Sequence, residues 1–429
     1  MNLTPEQKEL GRRNFLVRAG VGVPALAAFG AAAVARGPLH GGPVKAALIG
    51  VGGEGKMLLG QCEPNHISIQ ALCDVNPLHA KQGADALVGL GRPRPREYQD
   101  WKEMLAKESL EAVIIASPLW THADITVGCL EAGKHVLCEK MMAWDVAGTQ
   151  RMLEAARKNR KVLEIGYQRF YNPMYQAAYE NVIKPGVLGD VYHIRLVWHR
   201  NGSWRRDEKA PSANYDPSPW GYPDWEHLVN WRLYWKYSQG LVAELGSHQV
   251  AIANWVLGTT PQTVHASGVI ARYKDGREVP DHIYVTWDYP EDRTVTFSSI
   301  QSNAFDNYYE MILGTKGTLI LSAESEAYLF HEGEDGGAAM SVTPKTGNAI
   351  LDASASRVAS ASGGAGAAKA SSLAADSLNP YRLEISHFCA AVRTGIPLLC
   401  GPERAQHSAA ACIHANEAVK SHRLVTVSV

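Results

Sequence analysis

The run Gly50-Val51-Gly52-Gly53-Glu54-Gly55 follows directly on the apolar stretch Val44–Ile49 and opens a helical pattern. This context narrows the folds open to the chain more than any other feature. Gly50 permits a tight turn, Gly52 lets the backbone approach a bound anion, and Gly55 allows a helix to pack closely against the strand. The helix N-terminus that follows carries partial positive charge. The expected occupant is the diphosphate of a dinucleotide, cradled by Gly50, Gly52, Gly53 and Gly55.

Asp74 stands nineteen residues beyond Gly55, at the end of a second apolar stretch. A carboxylate there can accept hydrogen bonds from the adenosine ribose hydroxyls and repels a 2′-phosphate, so NAD is favoured over NADP. Asn76-Pro77 follows, and the competing reading is that Asp74 only caps the next turn.

From Val44 to about Gly166 short apolar runs alternate with helical patterns, the signature of a parallel sheet wound by helices. Strands are expected at Val44–Ile49, Ile67–Cys73, Ala112–Ala116, His135–Cys138 and Val162–Ile165, with helices at Thr121–Ala132 and Trp144–Asn159. After Tyr167 the texture changes to strands in series, at Val191–Trp198, Val264–Tyr273, His282–Tyr289, Thr294–Gln301 and Thr318–Leu321. Alternation at hairpin-like spacing points to antiparallel pairing. The expected fold is therefore α/β, with an N-terminal Rossmann domain over 44–166 and a C-terminal α+β domain over 167–429 built on a largely antiparallel open sheet. Within the second domain, 336–376 is rich in Ala, Ser and Gly without a hydrophobic period and is expected to be a flexible surface insertion.

A chain of 429 residues, 46% of them hydrophobic, supports two domains with a substantial core. Its 42 basic and 43 acidic residues nearly cancel, so no field gathers nucleic acid or an anionic membrane. A small-molecule partner fits better. The seven cysteines are scattered through apolar segments without zinc-ligand spacing, and no H-E-x-x-H cluster occurs among the histidines, so neither a disulfide framework nor a metal is expected.

The N-terminus reads Gly11-Arg12-Arg13-Asn14-Phe15-Leu16, then an Ala- and Gly-rich apolar run from Val17 to Ala35 ending in Ala33-Val34-Ala35. Residues 1–36 are read as a twin-arginine signal peptide, with export to the periplasm or beyond. Arg18 and Pro24 interrupt the run, and no stable membrane span is expected in the mature chain. The resemblance to such signals implies crossing in the folded state with a tightly bound cofactor already loaded.

Two stretches, Ser117-Pro118-Leu119-Trp120-Thr121-His122 and Ala132-Gly133-Lys134-His135-Val136-Leu137-Cys138-Glu139-Lys140, resemble the Gfo/Idh/MocA oxidoreductases. The resemblance implies that Ser117, Pro118, His122 and Glu139 lie along the cofactor and that Lys140 reaches both the nicotinamide ribose and the reacting hydroxyl. In that family a proline follows the lysine; here Met141 does, which removes a fixed backbone angle and leaves the aim of Lys140 open. A further family-like stretch, Gly166-Tyr167-Gln168-Arg169-Phe170-Tyr171-Asn172-Pro173, implies that Gln168 and Arg169 face nicotinamide and substrate.

A third block, Gly240-Leu241-Val242-Ala243-Glu244-Leu245-Gly246-Ser247-His248, resembles the family's Asp-x-x-x-His pattern with Glu244 in the aspartate's place. On a helix, residues four apart share one face, so Glu244 and His248 can point into one pocket. Oxidising a secondary alcohol needs a proton acceptor, and His248 is expected to exchange the proton while Lys140 stabilises the alkoxide and Glu244 contacts substrate. Six of the eleven tryptophans fall between Trp198 and Trp235, interleaved with Arg200, Arg205, Arg206 and Arg232. Aromatic faces among polar groups suit a pyranose, with Trp231 and Arg232 as candidate substrate contacts.

The expected function is an NAD-dependent oxidoreductase acting on a secondary hydroxyl of a sugar or polyol. One alternative is an NAD-dependent glycoside hydrolase that transiently oxidises the sugar and reduces it back, because the same cofactor site serves both. Another is a non-catalytic sugar-binding protein, raised by Met141 and Glu244 departing from the family pattern. A homo-oligomer, dimer or tetramer, is the expected assembly.

Overall fold

The computed structural model describes residues 3–19, 39–333 and 379–429. The Ala33-Val34-Ala35 cleavage pattern and the 336–376 segment lie outside the described residues. Strands β1 (Val44–Ile49), β2 (Ile67–Cys73), β3 (Arg96–Tyr98), β4 (Ala112–Ile115), β5 (His135–Glu139) and β6 (Leu163–Gly166) form one sheet in the order β3-β2-β1-β4-β5-β6. Every pairing in it is parallel. Val44, Ala46 and Leu48 of β1 enter one apolar cluster and Ala47 and Ile49 enter another, so both faces are covered and the strand reads as a continuous apolar run. The order reverses between β1 and β4, which opens a crevice at the carboxyl ends of those strands. Of these strands only β3 goes unforeseen in the sequence: it is three residues long, with Arg96 and Glu97 exposed, and has no apolar signal.

The second sheet comprises β7 (Val191–His199), β8 (Thr263–Val269), β9 (His282–Tyr289), β10 (Arg293–Ile300), β11 (Tyr308–Gly314), β12 (Gly317–Ser322), β13 (Glu326–His331) and β14 (Val425–Thr426). Their order is β13-β12-β11-β7-β10-β9-β8-β14. Pairing is antiparallel except between β7 and β10, which run parallel. The strand expected to reach Tyr273 stops at Val269, where Asp281 accepts hydrogen bonds from the backbone N–H groups of Ala271, Arg272 and Tyr273 and folds the chain into a turn.

One face of this sheet packs on two helices, Ser247–Leu257 and Pro402–Ser421, through residues such as Trp287, Val295 and Phe297. The helix Pro380–Thr394 returns to the first sheet instead, placing Ile385, Phe388 and Cys389 against Val44 and Leu48. Arg393 at its end forks onto both oxygens of Glu111, 2.6 and 2.9 Å away, and reaches the Gly42 and Pro43 carbonyls.

The arginine pair lies on a helix, Pro5–Ala19, seated on β13. Gly11 is so close to Tyr328 and Phe330 that a Cβ there would meet the Phe330 ring at 2.7 Å, and Arg12 pairs with Glu326. All seven cysteines are buried and unpaired. Among the described residues no helix is long and apolar enough to cross a membrane, and no cluster of His, Cys, Asp or Glu could hold a metal ion.

Candidate active site

The glycine turn is built as its sequence requires. Gly50 has φ +86°, and a Cβ on it would lie 2.5 Å from the Ala116 backbone; a Cβ on Gly55 would lie 2.0 Å from the Gly50 carbonyl oxygen. Those two glycines close the turn against β4 and bring the helix Gly53–Gln61 onto the strand. A Cβ on Gly52 or Gly53 would meet nothing within 4 Å, and the two line an open cleft together with Gly50 and Glu54. That cradle, at a helix N-terminus, fits a diphosphate.

Asp74 combines both readings its sequence allowed. Its oxygens accept from Val51 N at 2.7 Å and Asn76 N at 2.8 Å, which fixes the turn, and it still lines the cleft. Each carboxylate oxygen can accept more than one hydrogen bond, so capacity for a ribose hydroxyl remains. Beyond Asp74 the cleft is crossed by chain from the C-terminal domain. Glu208 accepts from Asn76 Nδ2 at 3.0 Å and His79 Nε2 at 2.6 Å, Trp225 Nε1 donates to the Glu208 carbonyl at 2.6 Å, and Tyr215 donates to the Val75 carbonyl at 2.7 Å. Burial works against a charged His79, but Asp74 and Glu208 outweigh it and raise its pKa.

At the other end of the cleft His122 is buried, with one ring nitrogen 2.9 Å from the Ser117 carbonyl and the other 2.9 Å from that of Met141. Burial lowers its pKa, so the neutral ring donates to one of the two and holds the Lys140 turn against β4. The Lys140–Met141 peptide is cis. Lys140 Nζ donates to the Glu244 carbonyl at 3.1 Å, which fixes the aim that Met141 left open. Glu139 accepts from Lys140 N at 3.1 Å through one oxygen, while its other oxygen is buried without a partner. Burial, with Glu54 adding to it, pushes the Glu139 carboxyl up. Glu244 differs: burial pulls its pKa up, yet the charges of Arg232 and Lys140 prevail and hold it below the ordinary value. Arg232 Nε donates to Glu244 Oε2 at 2.8 Å with its guanidinium 4.3 Å from the Trp231 ring centroid.

Comparison with known proteins decides the lineage of this site. Residues 44–167 match the family model described as "Oxidoreductase family, NAD-binding Rossmann fold", and residues 181–427 match its companion "Oxidoreductase family, C-terminal alpha/beta domain". The chain belongs to the Gfo/Idh/MocA oxidoreductase family. It is 30% identical over 178 residues to inositol 2-dehydrogenase of Salmonella typhimurium, a match covering 40% of this chain and 51% of the relative. It is 28% identical over 219 residues to a glycosyl hydrolase family 109 protein of Stenotrophomonas maltophilia, covering 46% and 47%. The chain thus spans about half the length of these curated relatives. Among solved structures its fold is similar to that of the WlbA dehydrogenase from Bordetella pertussis in complex with NADH and UDP-GlcNAcA, with TM-score 0.66, 16% identity, and 90% and 99% of the two chains covered. It is also similar to aldose-aldose oxidoreductase from Caulobacter crescentus, with TM-score 0.65, 19% identity, and 90% and 100% covered.

In this Gfo/Idh/MocA chain, Ser117, Pro118, His122, Glu139, Lys140, Trp231, Arg232 and Glu244 line the cleft with the glycines and Asp74. Other expected contacts sit behind that wall. Glu244 and His248 do not share one α-helical face, because Val242–Gly246 is a π-helical turn and the α-helix starts at Ser247. The wider turn rotates Glu244 into the cleft, while the buried His248 ring packs 6.0 Å from the Tyr167 ring and 5.9 Å from the Trp198 ring. Burial first, then Lys140 and Arg169, push His248 well below the ordinary histidine pKa. Gln168 and Arg169 are also buried: Arg169 Nε donates to Glu324 at 2.8 Å, its Nη1 pairs with Glu310, and Gln168 Nε2 donates to Glu324 at 3.4 Å. Two glutamates remote in sequence, Glu310 and Glu324, draw both side chains away from the cleft. Sequence reasoning missed Glu208, His79 and Asn76, ordinary polar residues whose meeting across two domains leaves no local signal.

Proposed function

We propose that this protein is an NAD-dependent oxidoreductase that moves a hydride between the nicotinamide and a secondary hydroxyl of a sugar or polyol. The observation that carries the reading is the Lys140–Glu244 contact: the last turn of a cofactor strand and an ionised carboxylate's backbone meet where the cleft leaves the nucleotide cradle. Gly50, Gly52 and Gly53 would hold the diphosphate, Asp74 the adenosine ribose, and Ser117, Pro118 and Glu139 the nicotinamide end. NAD is preferred to NADP because Asp74 and Glu208 both present negative charge where a 2′-phosphate would lie. When bound, the nicotinamide supplies the hydride acceptor.

The chain's own residues handle position and proton. Lys140 has three N–H donors and uses one on Glu244, so the others can steady a developing alkoxide. His248, buried behind the cleft wall, would take the hydroxyl proton only through Lys140, and among the described residues no hydrogen bond joins the two. Arg232, stacked on Trp231, keeps Glu244 oriented and ionised toward a sugar hydroxyl.

A second reading is favoured by the Glu208–Tyr215 strap. A strap over the adenosine end suits a nucleotide that stays bound through turnover, as a glycoside hydrolase using transient oxidation requires, and one relative is a glycosyl hydrolase family 109 protein. The test is mass analysis of the nucleotide retained by purified protein, followed by absorbance near 340 nm while sugars and glycosides are added. Retained NAD that becomes reduced by a sugar supports the dehydrogenase. Aglycone release without accumulating NADH supports the hydrolase, and absence of NAD binding removes both.

A further inference from the structure

Arg205 and Arg206 are neighbours with opposite fates. Arg205 is consumed in anchoring its loop: it pairs with Glu226 and its Nε donates to Asp275 at 3.1 Å. Arg206 lines the cleft, and among the described residues no carboxylate lies within ion-pair range of its guanidinium. Its backbone, by contrast, is clamped. The buried Asn230 accepts from Arg206 N at 2.7 Å and donates to Arg206 O at 3.2 Å, and is itself held by Glu226 at 3.0 Å. A buried amide is thus spent on fixing the one arginine of the pair that has no acidic partner.

The surroundings do not explain that arrangement. Arg232 stands close enough to Arg206 and Arg200 to repel both. Burial and this repulsion lower the Arg206 pKa, with Glu208 and Glu244 only partly offsetting them. Arg200, its guanidinium 5.6 Å from the Trp204 ring centroid, adds a third positive charge behind the wall. Arg232 is already paired with Glu244, so among the described residues Arg206 is the guanidinium on this wall left without a carboxylate, and an anion arriving beside it would offset its repulsion from Arg232. A guanidinium offers a planar fork that matches two oxygens of a carboxylate or phosphate.

We propose that the substrate is a sugar bearing an anionic group, carboxylate or phosphate, seated on Arg206 beside the stacked Trp231–Arg232 pair. The proposal rests on the sugar-oxidoreductase reading and deepens it. A cofactor diphosphate would be the other anion drawn to this cleft, so the experiment separates the two.

The test is calorimetric titration of the purified full chain with D-glucuronate, D-galacturonate and glucose 6-phosphate, each beside glucose or galactose. At least one anionic sugar is expected to bind about ten-fold or more tighter than its neutral parent, with the gap narrowing as salt is raised. R206Q should bring that sugar close to its parent while leaving the NAD dissociation constant within about two-fold, and R206K should keep part of the preference. Anionic sugars that bind no tighter than their parents overturn the proposal. So does an R206Q that weakens NAD about ten-fold and leaves the sugar preference intact, since that assigns Arg206 to the diphosphate. Absence of NAD binding would count against the oxidoreductase reading alone, because the sugar preference is read with or without nucleotide.

Discussion

Lys140 Nζ donates to the carbonyl oxygen of Glu244 at 3.1 Å, across a sequence separation of 104 residues. This bond joins the end of β5, beside the glycine cradle, to the π-turn that presents Glu244 to the same cleft. In the proposed reaction Lys140 would be where cofactor and substrate meet.

If Lys140 and His248 handle one proton, each should matter more to turnover than to nucleotide binding. K140M and H248A are each expected to slow single-turnover NAD reduction by about 10²- to 10⁴-fold, and the double variant to be little slower than the worse single one. Near-normal hydride transfer in both single variants would place the chemistry elsewhere.

Burial sets the pH dependence of the same step. A histidine pushed well below its ordinary 6.5 stays neutral, and so able to accept a proton, as pH falls through that value. Oxidation measured as kcat/KM should therefore show no inflection near 6.5 from His248; a half-loss centred there that disappears in H248Q would contradict this assignment.

The strap makes a prediction about release. E208A and Y215F remove bonds that cross the cleft beside Asp74, where the adenosine would lie, and NADH dissociation in a stopped-flow displacement experiment should quicken by about ten-fold in each. Because Asp74 and Glu208 raise the His79 pKa, the charged pair persists at low pH and is lost as pH rises through that raised value. Release should accelerate on the alkaline side; rates unchanged by both variants and by pH would show that the strap does not hold the nucleotide.

Arg393 holds the Glu111 carboxyl down at about 2, with Lys45 N–H adding to the effect and burial opposing it. Stabilisation by a depressed carboxylate is present above its ordinary 4.5 and lost as pH falls toward about 2. E111Q should cost roughly 1 kcal/mol at pH 7, a figure reduced for solvent screening at this half-open pair, and the difference from the parent chain should vanish near pH 2 in denaturant titrations. A constant difference across that range would assign the effect to packing.

Export is proposed from Arg12 and Arg13, and the docking of their helix sharpens the test. R12K with R13K should hold the precursor in the cytoplasm, whereas E326A, which frees Arg12 from the sheet, should leave export at least as fast. Cell fractionation after a short pulse reads both; normal periplasmic arrival of the double-lysine chain would remove the proposal.

The sequence by itself determined the features whose causes are local. An apolar strand followed by Gly50, Gly52 and Gly55 fits a close turn into a helix, the alternation of apolar runs with helical patterns fits a parallel sheet, and the Glu139-Lys140 run places a lysine at a strand end. Trp231 and Arg232 stood out because aromatic and basic residues crowd one stretch. Tertiary structure decided what depends on partners remote in the chain. Arg169 is drawn from the cleft by Glu310 and Glu324, and His248 by packing on Tyr167 and Trp198. A π-turn, invisible to an i, i+4 pattern, separates Glu244 from His248. Arg205 and Arg206 look alike in sequence, yet Asp275 and Glu226 neutralise one while Asn230 fixes only the backbone of the other. Side-chain type limits what a residue can bind, but which charges surround it is settled only when distant segments pack together.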